Sequence, residues 1–150
     1  MTKKLIVRKA NFDDAKRIWE IRNHPTARQE SLNTEEISLD SHLAWFWGKY
    51  FDKSNSICFI IEKEGFVVGY CRLDSDGNKY IISIAIDPDH HGKGFGTFLL
   101  GESLRQFGLD KTILAEVKKD NLASVKIFTG ADFHLTSEDN TCLHFQKDSA

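Results

Sequence analysis

Apolar positions along this chain change their period several times, and each change marks an element. Leu5, Ile6 and Val7 inside a charged N-terminus predict a short strand. Asn11, Phe12, Asp13 and Asp14 then offer side-chain oxygens suited to capping a helix. Ala15, Ile18, Trp19 and Arg22 recur at i, i+3, i+4 and i+7, which predicts a helix over 13–23 that Pro25 ends. Residues 26–37 are polar and without period, as in a loop. From Ser38 onward Leu39, Leu43, Phe46 and Tyr50 repeat at helical spacing and leave Trp45 and Trp47 off the stripe. Those two indoles either face a substrate or are buried by a wide apolar helix.

The period then shortens to that of strands. Ile57–Ile61 and Phe66–Cys71 are joined through Glu62-Lys63-Glu64-Gly65, a link typical of a hairpin, and Tyr80–Ile86 follows a second turn cluster at 74–78. Three successive strands make an antiparallel meander. Beyond Asp87-Pro88 the pattern is a glycine-rich turn, a helix over 96–107, a strand at 112–117, a helix at 122–130, and strands near 133–136 and 142–146. A meander followed by a βαβ crossover predicts an α+β fold, with a mixed, mostly antiparallel sheet of six or seven strands between helices on both faces.

Composition narrows the functional classes. One hundred and fifty residues with no internal repeat or dividing linker suit a single domain over 1–150. Twenty Lys and Arg against 22 Asp and Glu give a charge of -2, which argues against the broad basic surface of a nucleic-acid or anionic-membrane binder. No apolar run is long enough to span a bilayer, and the start MTKKLIVRKA has too short an apolar part for a signal sequence, so a soluble, cytoplasmic protein is expected. Cys58, Cys71 and Cys142 are odd in number and widely spaced, as reduced structural thiols would be.

Chemistry concentrates at Ile81–Leu100, where a strand breaks into glycines and then enters a helix. Gly92, Gly94 and Gly96 allow positive φ and close approach of the backbone to a ligand, and the first free N–H groups of the helix favour phosphate oxygens. The alternating GxGxG spacing fits neither the Walker loop nor the dinucleotide fingerprint. Adjacent His90 and His91, with no Cys or carboxylate cluster near them, do not suggest a metal.

His91-Gly92-Lys93-Gly94-Phe95-Gly96 resembles motif A of the GNAT family of N-acetyltransferases, and Leu114–Phe128 followed by Phe133 resembles that family's strand, its Asn-x-x-x-Ser/Ala helix and its terminal Gly-Phe. The resemblance implies the three-layer fold of that family and acetyl-CoA as co-substrate, with no metal. It implies that the amides of Gly92, Lys93, Gly94, Phe95, Gly96 and Thr97 hold the pyrophosphate, with His91 beside them at the cofactor. By the same resemblance, a bulged strand carrying Ser83, Ile84, Ala85 and Ile86 receives the pantetheine arm and thioester, and Asn121, Ser124 and Phe128 border the cofactor.

Three positions depart from the pattern. His91 stands where relatives carry Arg or Gln and can still donate to a phosphate. Phe128 occupies the place of a Tyr that protonates the leaving thiolate, which a phenyl ring cannot do. Asp132 replaces a Gly, tolerably, because Asp enters left-handed conformations more readily than most residues.

An amine that is charged near neutral pH must lose a proton before it attacks a thioester. Glu116, at the end of the strand before Asn121, is the first candidate base; Ser83 would orient the amine or a water, and His42 would contact the acceptor. Ile21–Pro25, Ile37–His42 and Trp45-Phe46 resemble acetyltransferases acting on nucleotide-linked amino sugars in pseudaminic acid biosynthesis, with a primary amine of such a sugar as the implied acceptor. Two alternatives stand beside this one: acetylation of protein N-termini or side chains, and a noncatalytic acyl-CoA-binding module. Homodimer assembly is left open.

Overall fold

The computed structural model describes residues 4–51 and 55–150; Met1–Lys3 of the charged N-terminus fall outside them. Strand β1 is Leu5–Lys9, followed by helices α1 (Ala15–Arg22), α2 (Pro25–Glu30) and α3 (Leu39–Tyr50). The meander is β2 (Ile57–Lys63), β3 (Phe66–Asp76) and β4 (Lys79–Ile86). Helix α4 (Phe95–Phe107), β5 (Thr112–Lys118), α5 (Leu122–Gly130), β6 (His134–Glu138) and β7 (Cys142–Lys147) complete the chain. The seven strands form one sheet in the order β1-β2-β3-β4-β5-β7-β6, antiparallel throughout except where β4 lies parallel to β5.

Strand alternation sends two sets of side chains to opposite faces, and helices cover both, giving the three-layer α+β fold expected. On one face Ile18 and Ile21 of α1 and Phe46 of α3 pack on Cys58, Ile60 and Tyr70. On the other, Leu99, Leu100 and Leu104 of α4 and Phe128 of α5 pack on Phe59, Cys71, Leu73 and Ile82. Phe46, Phe59, Ile18 and Leu99 are fully buried, and each such side chain contributes roughly 2–3 kcal/mol by leaving water. All three cysteines are buried free thiols, as their spacing suggested.

The N-terminal third departs from expectation. Residues 12–14 form a 3-10 turn in which Asn11 and Asp14 make a reciprocal capping box, so α1 starts at Ala15 instead of 13. Pro25, expected as a terminator, opens α2 as its first residue, with His24 Nδ1 accepting from Thr26 N–H, where a loop was expected. A proline has no N–H to lose at that position, so a polar hexapeptide carries one short helix. The rest of the segment is pinned by Asn23, whose Oδ1 accepts from Ile37 N–H at 2.8 Å, and by Trp19, whose Nε1–H donates to Ile37 O at 2.7 Å.

Candidate active site

The parallel pairing of β4 and β5 runs only from Lys79↔Thr112 to Ile82↔Ala115; beyond it the two strands part. β5 instead continues beside β7 to Lys118↔Cys142, while β4 stays in unbroken register with β3 as far as Gly69↔Ile86. No bulge interrupts β4, contrary to expectation; the opening comes from where β4–β5 pairing stops. Asp87 N–H bonds Val68 O at 2.8 Å, so strand alternation turns the peptide groups of Ile84 and Ile86 away from β3 and toward the gap. Two connected clefts of about 330 and 310 Å³ occupy this opening and share Glu30, Ile84, Ala85, Ile86, Asn121 and Ser124 in their walls.

One cleft ends at the glycine turn. Gly92 and Gly94 have φ of +76° and +78°, and a Cβ at either would meet no atom within 4 Å, so the space above them is open to a ligand. Gly96, expected to take positive φ as well, is helical and serves another end: a Cβ there would lie 2.6 Å from Ile127 Cδ1, so it permits α4 to pass close to α5. Gly94 caps α4, which leaves the N–H groups of Phe95, Gly96 and Thr97 without intrahelical acceptors. Phe95 itself is buried in the core, so only its backbone serves the cleft. Lys93 is exposed and is not part of the wall.

His91 is in the wall of this cleft, and its Nε2 lies 2.9 Å from Ile86 O and donates there, tying the turn to the end of β4. Behind it, His90 Nδ1 is buried in the wall of the same cleft without a hydrogen-bond partner among the described residues. Asp87 accepts from Asp89 N–H and pairs with Arg17 of α1. Burial works against the Asp87 charge, but the Arg17 guanidinium and the Asp89 amide hold its carboxyl below the usual range. An open backbone cradle, three free helix N–H groups and an orphaned buried nitrogen suit an extended ligand with a pyrophosphate, as acetyl-CoA is.

The other cleft lies on the α1–α3 face. Register pairs Arg72 with Ser83, and Glu116 with His144, while Ile82↔Ala115 places Ser83 and Glu116 one step beyond the last β4–β5 pair. Arg72, Ser83, Glu116 and His144 thus follow one another across the sheet on one face, on either side of the gap. Glu116 is exposed, and its carboxylate, His144 and Asp139 lie within 4.8 Å of one another; His144 Nε2 is 3.1 Å from Asp139 Oδ2. Asn121 caps α5 by accepting from Ser124 N–H at 3.2 Å. Phe128 is buried against Phe133 and Phe145 with its edge in the cleft. Tyr70, opposite Ala85 in the register, is the one tyrosine in the walls of these two clefts among the described residues. Burial raises its phenol, which stays protonated.

Residues 27–37 roof this second cleft with Ala27, Glu30, Ser31, Leu32 and Asn33, and Lys118 Nζ reaches across to Gln29 O at 2.8 Å. His42, expected to contact the acceptor, is fully buried: Nε2 is 2.8 Å from Ala15 O and Nδ1 is 3.3 Å from Arg22 Nη1. Trp45 lies beneath the Arg22 and Arg72 guanidiniums, at 4.2 and 5.1 Å, and Trp47 stacks on Phe12 at 4.3 Å; neither indole is in the cleft wall. Arg22, Arg72, Tyr70 and His144 were not singled out from sequence. Only strand register brings the last three to the gap, although Arg22 stood in a recognised stretch. A separate hollow of about 550 Å³ beside Lys9, Tyr50 and Gln106 shares no wall residue with these clefts.

The profile of the acetyltransferase (GNAT) family matches residues 15–133. The L-amino acid N-acyltransferase MnaT of Escherichia coli is 27% identical over 142 residues, 88% of this chain and 81% of that protein. The L-2,4-diaminobutyric acid acetyltransferase of Nocardia farcinica is 24% identical over 127 residues, covering 82% of this chain and 61% of its own length. Among solved structures, spermidine N-acetyltransferase from Vibrio cholerae, in complex with CoA and spermine, superposes with a TM-score of 0.82 at 18% identity, over 97% of this chain and 95% of that one.

Proposed function

The chain belongs to the acetyltransferase (GNAT) family and is an acetyl-CoA-dependent N-acetyltransferase, and on that footing we propose that it acetylates a small primary amine held between Glu116 and the β3 side of the gap. The observation that carries this reading is the row Arg72, Ser83, Glu116, His144, which sets a carboxylate across the opening from the peptide groups of β4.

The amides of Gly92 to Thr97 hold the pyrophosphate, and the pantetheine arm runs along Ile84 to Ile86 beside Asn121, Ser124 and Phe128. Glu116 takes the proton of the ammonium, with the His144–Asp139 pair beside it. The free amine attacks the thioester carbon, and the N–H groups of Ile84 and Ile86 face the developing oxyanion. Collapse breaks the C–S bond and releases the CoA thiolate. Phe128 has no proton to give; Tyr70, the phenol in that wall, donates one to the thiolate, and the proton that the amide nitrogen sheds on collapse returns to Tyr70 through water.

The roof of residues 27–37 and the Lys118–Gln29 bridge favour a small acceptor over an extended peptide. Relatives are named for L-amino acids, L-2,4-diaminobutyric acid and spermidine. A nucleotide-linked amino sugar is the acceptor implied by the N-terminal stretch; its base would need a stacking partner other than Trp45 and Trp47, which pack outside the cleft wall. The test is CoA thiol release with L-2,4-diaminobutyrate, spermidine, a UDP-linked amino sugar and N-terminal peptides, with Glu116→Gln beside the wild type. Turnover with a small amine, reduced about 10²-fold or more in the variant, supports the reading. Acetyl-CoA binding without thiol release for any amine makes the protein a binding module instead.

A further inference from the structure

Arg22 ends α1 in the wall of the acceptor-side cleft, half-buried, and among the described residues no carboxylate lies within ion-pair distance of it. A guanidinium kept from bulk water without a counter-charge is costly, and burial lowers its proton affinity accordingly. Yet the surroundings hold it firmly in place. His42 Nε2–H donates to Ala15 O, which leaves Nδ1 as an acceptor facing Arg22 Nη1 at 3.3 Å, and the guanidinium carbon sits over the Trp45 ring, 4.2 Å from its centroid. Arg72 shares that ring from the β3 side. Its Nη1 donates to Asp74 Oδ2 at 2.9 Å, while its Nε is buried with no hydrogen-bond partner among the described residues.

The local charge is unbalanced. Asp74 is the carboxylate paired with both Arg72 and Lys49, so among the described residues three cations, counting Arg22, meet one anion. The row of strand positions places Arg72 two strands from Glu116, at least about 10 Å, since paired strands lie about 4.8 Å apart and β4 and β5 have parted at this level. A small molecule spans that distance with an acid group at one end and an amine at the other.

We infer that Arg22, with Arg72 and the Trp45 platform, is a binding subsite for an oxyanion carried by the acceptor, so that the substrate is an amine bearing a carboxylate or a phosphate. The inference rests on the acetyltransfer reading of the same cleft. Planar guanidiniums match both acid groups through paired N–H donors, and the same positive charge repels an acceptor that is cationic throughout, such as a polyamine.

The experiment compares matched acceptors on the wild-type enzyme: L-2,4-diaminobutyrate against its carboxamide, a UDP-linked amino sugar against the free amino sugar, and spermidine. In at least one pair the anionic member has kcat/KM about tenfold or more above its neutral partner. A carboxylate source shows in the first pair and a nucleotide phosphate in the second. Arg22→Met then raises KM for the preferred anionic acceptor about tenfold or more and leaves its neutral partner and acetyl-CoA unaffected, while Arg22→Lys falls between. Equal rates within both pairs, or preference for spermidine, overturn the subsite while leaving acetyl transfer intact. If no amine releases thiol, the transfer reading fails, and the subsite is judged by calorimetric titration of both anionic probes into the CoA-bound protein. Binding of one of them, lost in Arg22→Met, supports it; no heat with either overturns it.

Discussion

His42 makes the stability of this fold fall with acid in a defined window. Burial, reinforced by the Arg22 and Arg72 charges and opposed by the Ala15 carbonyl, depresses its imidazole from 6.5 to about 4. Protonation would put an Nδ1–H against the Arg22 Nη1 donor 3.3 Å away, in a site closed to water. The unfolded chain binds the proton near the ordinary value and the folded one does not. The neutral ring therefore contributes its full stability above about 6.5, and that contribution drains away as pH falls toward 4. A gap of this size amounts to roughly 3 kcal/mol, with a slope approaching about 1.4 kcal/mol per pH unit inside the window. Urea unfolding of wild type and His42→Gln between pH 4.5 and 7.5 measures it. Because the other histidines are common to both proteins, their contributions cancel in the difference. The two should converge toward acid pH, with wild type the more stable at neutrality, and the His42 ring signal in NMR should not titrate above pH 5. Titration near 6.5, or parallel pH profiles for the two proteins, would refute the reasoning.

Three further outcomes follow from the site. Tyr70→Phe keeps the buried ring and loses the proton, so kcat should fall about 10²-fold with acetyl-CoA affinity and melting temperature nearly unchanged; an unaltered kcat assigns the proton to water. Gly94→Ala meets no atom within 4 Å, so its cost is that of φ +78° alone, about 1–2 kcal/mol by thermal or urea unfolding, together with a raised KM for acetyl-CoA. Asp87→Asn breaks the part-buried pair with Arg17 and should cost about 1–3 kcal/mol at neutral pH. The Asp87 value is depressed in the fold, so this contribution is present above 3.8 and lost as pH falls through the lower folded value; a wild-type-to-variant difference in unfolding free energy that does not shrink as pH is lowered below 3.8 contradicts it.

What the chain announces along its length and what it conceals divide along one physical line. The meander, the crossover and the glycine turn were legible because period and turn chemistry are local properties, written within a dozen residues. Helix α2 was missed because its six residues, four of them polar, carry no apolar period, and the proline that ordinarily ends a helix here begins one. His42 was misread although its spacing was informative: it stands three residues after Leu39 and four before Phe46, on the apolar stripe of α3, and the polar identity of the side chain outweighed its position.

The acceptor side was concealed for a different reason. Arg72, Ser83, Glu116 and His144 come from four strands, and alternation along each fixes only which face a residue takes, not which residue of the next strand it meets. Register supplies that second coordinate, and here it also supplies the gap, since β4–β5 pairing stops after Ile82↔Ala115 while each strand keeps its other neighbour. The cofactor end rests on a local motif and was readable in one stretch of sequence. The specificity end depends on pairings between distant stretches, with Arg22 held by His42 and shared with Arg72 over Trp45. Substitutions at Arg22 should therefore alter which amine is accepted while the glycine turn goes on binding acetyl-CoA, and kinetics that move both together would mean the two ends are not separable in this fold.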